Sequence, residues 1–286
     1  MAEMIIPLTI TTYAVLVGLT PLIPIPILDD LVKGFFYRKL IQTLAGNHKI
    51  SLTADEMTAL SEEQSKGCVY GCLFGTFEFL VKRLVRKIIF ILEWQRAIDL
   101  VTHTYYVGHL LEYAFAQGWY PPGNVEQAAR LRKAIEQTRA GANTNLVKRT
   151  VRDSFNQSKQ RVLSTVQQIS DSFRDLAFRR SRIWLLRTLS VRLRRRFPRL
   201  ARWLYGRLRP SEADLDRVRQ TEDAVAEKLE AEAPRFRDSL NEVIARLQTN
   251  LTQLPNEHFE GLEAQLAQNW QRLNEQSPVN ANAGPE

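Results

Sequence analysis

The chain has 286 residues, two cysteines and a net charge of +8 at pH 7. So few cysteines argue against a disulfide scaffold, and the N-terminus lacks a secretory cleavage pattern, so we expect a cytosol-facing protein in a reducing compartment. The charge is divided: residues 1–120 hold 10 basic and 11 acidic side chains, residues 121–210 hold 22 and 5, and residues 211–286 hold 7 and 15. A basic block of this size seeks phosphate groups, either of nucleic acid or of lipid head groups.

These shifts in composition, together with helical periodicity along the chain, predict an all-α protein in four parts. Residues 1–120 form an apolar, membrane-seeking helical domain, and residues 121–210 form a basic amphipathic helical region. Residues 211–275 form an acidic helical hairpin or short coiled coil, and residues 276–286 form a disordered tail.

The first element is an uncharged apolar run over residues 5–28, which meets the ~20-residue criterion for a membrane span. Three prolines near its end spoil a simple span, because a helix from about Leu8 should stop near Thr20, at ~20 Å too short for a ~30 Å hydrocarbon core. Asp29 and Asp30 then suit the first turn of a second helix. We interpret the two helices as a wedge-like hairpin, and their burial in a soluble core is the alternative.

A capping box marks the next helix. Thr53 precedes Glu56 by three residues, the spacing at which the two side chains satisfy each other's backbone N–H groups. We therefore expect a helix from this point to about Gln64.

Residues 66–83 place small side chains on one helical face. Glycines recur at every fourth position, and two cysteines recur at the same spacing on the adjacent stripe. Such a face lets another helix backbone approach closely, as in small-xxx-small packing within membranes. A zinc or redox site prefers Cys-x2-Cys spacing and needs further ligands, whereas the spacing here is Cys-x3-Cys without a third cysteine. The predicted helix-packing residues are Gly67, Gly71, Gly75, Cys68 and Cys72.

The best candidates for metal ligands follow in the next apolar helix. Asp99 and His103 share a face at a spacing of four, and His109 and Glu112 share one at a spacing of three, as in carboxylate–histidine metal helices. The two histidines are six residues apart, which turns them ~120° from each other on one helix. Ordinary hydrogen-bonded pairs are therefore the preferred interpretation, and a helical metal-dependent enzyme is an alternative.

The region after residue 120 begins with a helix capped by Asn124 and ending at Gly141. From Val147 onward, apolar residues recur at spacings of three and four with basic residues between them, which predicts a long amphipathic helix. Its seam is loose in the manner of an imperfect coiled coil, because Ser158 occupies one seam position.

Residues 178–210 contain 12 arginines and no acid. Arginines on one side and Leu, Phe and Trp on the other describe interfacial helices that lie on an anionic membrane surface. Nucleic acid is the rival partner, and pairing of these arginines with the acidic tail is a third possibility. The residues predicted to contact lipid or phosphate are Arg180, Arg187, Arg194, Arg195, Arg199, Arg202, Trp184 and Trp203.

The acidic tail has narrow apolar seams interrupted by Pro234 and Pro255, which predicts two or three short helices. These seams must be buried on each other, on the basic helix of the same chain, or on a second copy of the protein. Residues 211–275 are therefore the predicted surface for self-association or for a protein partner.

The leading hypothesis is a non-enzymatic, membrane-associated protein on the cytoplasmic side of a membrane, without a cofactor. It docks on or inserts into an anionic membrane and presents its C-terminal coil to a partner. The chain lacks a phosphate loop, a dinucleotide glycine fingerprint and a nucleophile elbow. The alternatives are a soluble nucleic-acid-associated basic protein and the metal-dependent enzyme introduced above.

Overall fold

A computed structural model describes residues 8–24, 28–61, 84–120, 123–173 and 212–276. Every regular element in these residues is helical, which confirms the all-α class. In the same residues, the helices fall short of the length and apolar character needed to cross a membrane. The helices are α1 (Leu8–Gly18), followed by a 3-10 turn (Thr20–Leu22), α2 (Leu28–Asn47), α3 (Ala54–Ser61), α4 (Leu84–Ala116), α5 (Val125–Gly141), α6 (Asn145–Gln157), α7 (159–173), α8 (Glu212–Thr252) and α9 (Asn256–Gln276).

The local start signals place helices where the sequence predicts them. Thr53 and Glu56 form both halves of the capping box, with Thr53 N donating to Glu56 Oε2 at 2.8 Å and Glu56 N donating to Thr53 Oγ1 at 3.3 Å. Asn124 accepts a 3.0 Å hydrogen bond from Gln127 N and caps α5. Asp29 lies in the first turn of α2, as expected.

The single long helix predicted from Val147 onward is interrupted once, because Ser158 separates α6 from α7, although both helices keep one buried seam and Val162 N still donates to Ser158 O at 3.1 Å.

The two predicted interruptions of the acidic tail behave differently from each other. Pro234 does not end a helix, and the predicted break there is wrong: α8 continues through it for 41 residues. Pro255 does separate two helices, because α8 ends at Thr252 and α9 begins at Asn256.

The apolar helix α1 lies inside the described structure. It packs against α4, α2 and α8, and Ile10, Ala14, Val15 and Val17 have no exposed surface. The first helix of the predicted wedge-like hairpin is therefore covered by protein, as in the alternative in which this helix belongs to a buried core.

The crossing of α1 and α4 is close because two glycines lie at the contact. A Cβ atom on Gly18 would lie 2.0 Å from Val101 Cγ2, and one on Gly108 would lie 2.8 Å from Ile10 Cγ2. A close backbone approach of this kind was predicted for the glycines and cysteines of residues 66–83, which lie outside the described residues.

The acidic tail buries its seams on its own chain. Phe236, Leu240, Val243, Leu247 and Leu251 of α8 are buried, and α8 packs against α6, α1 and α2. Helix α9 packs against α5 and α4. One continuous cluster of buried hydrophobic residues joins elements from α1 to α9. The division into parts at residues 120 and 210 remains a prediction from composition.

The directions of the helices follow from paired contacts along their lengths. Helix α4 runs antiparallel to α6 and α7, because Lys148 lies 2.5 Å from Asp99, whereas Lys159 lies over the ring of Phe90. Helices α7 and α8 are antiparallel as well, with Arg161 bonded to Glu242 and the carbonyl of Ser172 bonded to Lys228.

Helix α2 begins at the same end of the molecule. Leu31 and Val225 line one groove between α2 and α8, and Lys39 forms a 2.7 Å ion pair with Glu230 further along both helices. The side of the molecule toward which the starts of α2, α4 and α8 and the end of α7 point is called the junction end below.

Candidate functional site

The junction end is where the described helices join two segments of the chain with predicted roles, the helix-packing residues 66–83 and the arginine-rich residues 178–210. Helix α4 begins directly after residues 62–83, and residues 174–211 connect the end of α7 to the start of α8. Because α4 is antiparallel to α7 and α7 is antiparallel to α8, the start of α4, the end of α7 and the start of α8 all point toward the same side of the molecule. The two segments are more than 90 residues apart in the chain, so this shared direction depends on the fold.

An apolar surface lies in the first third of α4, beside the start of α7. Ile91 is 57% exposed and Leu92 is 56% exposed, whereas most other large apolar side chains of the described helices are covered. Exposing neighbouring Ile and Leu side chains to water is unfavourable, and contact with an apolar phase would remove that cost.

Aromatic rings and a lysine border this apolar surface. Lys159 Nζ lies 5.3 Å from the ring centre of Phe90 and 5.9 Å from that of Trp94. Trp94 is held by its indole N–H, which donates a 3.1 Å hydrogen bond to Asn156 Oδ1, and by an edge contact with Phe155. The cation and the two rings hold the start of α7 against α4, and Trp94 itself is buried.

The positive charge of the chain is concentrated in the segment that connects α7 to α8 in the sequence. Residues 174–211 contain thirteen arginines and one aspartate, a net charge of +12 against +8 for the whole chain, so the remaining residues carry −4. Acids also lie near this end: burial raises the pKa of Glu93, Arg96 opposes that rise and the nearby charge of Asp29 adds to it.

The residues that the sequence predicts to contact lipid or phosphate lie outside the described residues, and so do the predicted helix-packing residues. The first group is Arg180, Trp184, Arg187, Arg194, Arg195, Arg199, Arg202 and Trp203. The second group is Gly67, Cys68, Gly71, Cys72 and Gly75. Both groups remain predictions, and the described structure shows which helices their segments join.

The four candidate metal ligands of α4 do not converge. Each pairs with a different helix: Asp99 with Lys148 of α6 at 2.5 Å, and Glu112 with His48, just after α2, at 2.8 Å. His103 lies 3.6 Å from Glu136 of α5, and His109 lies 3.0 Å from Glu263 of α9. Within the described ranges, no group of three His, Cys, Asp or Glu side chains is placed to hold a metal ion. These contacts are helix-to-helix polar pairs.

Sequence reasoning missed a buried carboxylate that joins two loops. Glu56 has no exposed surface, and besides the capping box its Oε1 accepts hydrogen bonds from Gly123 N at 2.7 Å, Asn124 N at 2.9 Å and the hydroxyl of Tyr120. Burial raises the pKa of Glu56, but the hydrogen bonds from Tyr120, Thr53 and Gly123 outweigh it and hold the pKa at about 2. The capping-box spacing is a local signal, so it could not show partners more than 60 residues away.

A second buried polar network links α2, α4 and α5. Arg132 is almost fully buried, donates to the Tyr37 hydroxyl and lies 2.5 Å from Glu136. Burial raises the pKa of Glu136, whereas His103, Arg132 and Arg139 together lower it to about 2. The carboxylate therefore stays charged; its contact with His103 joins α5 to α4, and the hydrogen bond from Arg132 to Tyr37 joins α5 to α2.

No family model matches the chain, and neither a curated protein nor a solved structure matches it significantly. The functional conclusion accordingly depends on the junction end and on the chemistry of the two segments attached to it.

Proposed function

We propose that this chain is a non-enzymatic, membrane-associated helical protein that docks on an anionic membrane surface through its junction end. The observation that carries the proposal is that three features belong to helix ends pointing the same way: the exposed pair Ile91 and Leu92 in the first third of α4, the attachment of residues 62–83, and both attachments of the arginine-rich residues 174–211.

Electrostatic attraction and apolar contact both contribute to the free energy of the proposed docking. A basic residue near an anionic surface contributes ~1 kcal/mol, so a few of the thirteen arginines in residues 174–211 suffice for attachment, and added salt weakens it. Ile91 and Leu92 add roughly 1 kcal/mol each if their exposed parts leave water. The cytoplasmic leaflet is the anionic one, which is why the proposal places the protein on that side.

The acidic tail has a separate part in this proposal. Because the seams of α8 and α9 are filled by the rest of the chain, a protein partner or a second copy would meet their outer faces. These faces expose carboxylates, including Glu227, Glu257 and Glu260. The expected partner surface is therefore basic, and such an interaction would be weakened by salt.

The test is vesicle flotation of the full chain on neutral and anionic liposomes at low and high salt. We expect flotation with anionic vesicles that decreases with salt. The double variant I91Q/L92Q should bind about 30-fold more weakly, which corresponds to the loss of ~2 kcal/mol of apolar contact. The matched control is L8Q: Leu8 is also 57% exposed but lies beside Ile244 and Ala245, toward the other end of α8. Equal binding to neutral and anionic vesicles, or equal loss in both variants, would contradict the proposal.

Nucleic-acid association is the second candidate, because the same arginines would contact phosphates of either kind. The exposed apolar pair distinguishes the two candidates, since Ile and Leu side chains contribute to lipid contact and have little use on a polyanion. Steep salt-dependent binding to duplex or single strands, unchanged in I91Q/L92Q and without vesicle flotation, would favour nucleic acid.

A further inference from the structure

The start of α9 rests on α4 through two histidines and an aromatic ring. Phe259 packs between two histidines: the centre of its ring lies 5.0 Å from that of His109 and 5.2 Å from that of His258. The Tyr106 hydroxyl and His258 Nε2 share a hydrogen bond of 2.8 Å. These contacts tie the first two turns of α9, residues 256–263, to the middle of α4, and they are called the histidine seam below.

The two histidines of the seam differ in whether a nearby acid can balance a positive charge on the ring. Glu263 lies 3.0 Å from His109 and can balance a proton on that ring. Among the described residues, the His258 ring bonds only to the neutral Tyr106 hydroxyl, and no acid lies within ion-pair distance of it. A proton on His258 would therefore place an unbalanced charge beside His109 in a half-buried seam.

We propose that protonation of His258 weakens the histidine seam, so that the first two turns of α9 are docked on α4 at neutral pH and open up to about tenfold more often in mild acid. The trigger is a proton, and the element that moves is residues 256–263. The later part of α9 stays in place, because its apolar side chains are buried against α4 and α5. Those anchoring residues are Leu266, Trp270 and Leu273.

The direction of the pH effect follows from the environment of the ring. Burial lowers the pKa of His258 below its ordinary value of 6.5, and the neighbouring His109 lowers it further. The docked state thus binds a proton less readily than the released state, so docking is complete well above pH 6.5 and weakens as the pH falls below it. For a single histidine that titrates only when released, the opening constant increases at most about tenfold between pH 7.5 and pH 5.5.

The groups that face the seam come from α4, α5 and α9. Helix α5 meets α9 through Thr138, which bonds to Asn269, through Gly141, which lies beside Gln265, and through Gln137, which accepts from Arg272 further along α9. The described titratable groups at the seam are Tyr105, Tyr106 and His109 of α4, with Glu263 and the exposed Glu257 and Glu260 of α9 itself. Burial raises the pKa of both tyrosines, so they stay neutral throughout this range.

The experiment is amide hydrogen exchange of the full chain between pH 7.5 and pH 5.5, corrected for the chemical effect of pH on exchange. We expect protection of residues 256–263 to fall by several-fold and by no more than about tenfold, while residues 266–276 of the same helix keep theirs. Unchanged protection of residues 256–263 in the wild-type protein would overturn the proposal without any variant.

A matched pair of variants assigns the effect to one ring. H258Q removes the titrating group but keeps a polar side chain for Tyr106, and it should abolish the pH dependence at residues 256–263. H48Q removes a histidine that pairs with Glu112 on another side of α4, and it should leave that pH dependence intact. Loss of the effect in both variants, or its survival in H258Q, would contradict the assignment to His258.

Discussion

Replacing Glu56 by glutamine should destabilise the protein by about 4 kcal/mol. Oε2 of the carboxylate accepts from Thr53 N and Thr53 Oγ1, each at 2.8 Å, and Oε1 accepts from Tyr120, Gly123 and Asn124. Glutamine has a single acceptor atom. Whichever way its amide is oriented, an NH2 group faces backbone or hydroxyl donors that have no other acceptor in this site.

The magnitude follows from the better of the two orientations. With the amide oxygen at the Oε1 position, the N–H of Thr53 loses its acceptor, which costs ~1–3 kcal/mol. The three bonds that remain at Oε1 change from a charged to a neutral acceptor, a loss of roughly 0.5–1 kcal/mol each. The two contributions give about 4 kcal/mol, a large part of the stability of most domains.

Urea unfolding followed by circular dichroism measures this loss, and E126Q provides the control. Glu126 lies in the first turn of α5 close to the same loops, but its side chain is 66% exposed and pairs only with Arg130. Because exposed ion pairs contribute little, E126Q should change stability by less than ~1 kcal/mol. A stability of E56Q within 1 kcal/mol of the wild type, or equal to that of E126Q, would refute the reasoning about the buried carboxylate.

The pH dependence of stability gives an independent check on the same site. Glu56 has a pKa of about 2 in the folded protein against an ordinary 4.5, so its contribution is fully present above pH 4.5 and is lost as the pH falls toward 2. The wild type should lose stability over this window more steeply than E56Q. Parallel acid titrations of the two proteins would show that the carboxylate is not held ionised by its donors.

Two further pairs of variants test the packing of α1 and the polar groups of α4. G18A should destabilise by ~1–3 kcal/mol in thermal or urea unfolding, because its Cβ would lie 2.0 Å from a side-chain carbon of α4, whereas G46A, with open space around it, should be neutral or stabilising. Y106F should cost ~1 kcal/mol through loss of its hydrogen bond with His258, whereas Y105F should be neutral or stabilising, since the buried Tyr105 hydroxyl has no hydrogen-bond partner in the described part of the chain. Equal effects within either pair would contradict the contacts on which it depends.

The helices whose ends carry local signals could be predicted from sequence. The Asn124 cap, the Thr53 capping box and the break at Pro255 each act within one turn, so the residues that define them are neighbours in the chain. The buried seam of α6 and α7 was also predictable, because its period of three to four residues does not depend on which helix covers it.

The failure at Pro234 has a specific physical reason. Proline removes one N–H donor, which leaves one carbonyl in the preceding turn without its helical partner. Pro234 is exposed, so water can satisfy that carbonyl, and Leu229 and Phe236 remain seven residues apart on the same buried face. An unbroken seam on the covered side thus outweighs a missing bond on the exposed side, and the sequence pattern does not reveal which side a proline faces.

The candidate site was only partly predictable for a related reason. The spacing of His103 and His109 showed that they point in different directions, but not that one would meet α5 and the other α9. Likewise, the basic and apolar character of residues 178–210 was evident, whereas their attachment beside the start of α4 depends on contacts between α4, α6, α7 and α8. Periodicity defines the faces of a helix, and only the assembled fold defines their neighbours.

The central position of α1 has a consequence for synthesis of the chain. Thr11 of α1 bonds to Gln248 of α8 across a separation of 237 residues. At ~5–20 residues per second, the ribosome needs roughly 12–50 s to deliver the covering helix after the apolar one. During that interval the side of α1 that α8 later covers is open to chaperones, to other nascent chains and to lipid. A chain truncated before α8 would therefore keep that apolar side of α1 exposed and would be prone to aggregate.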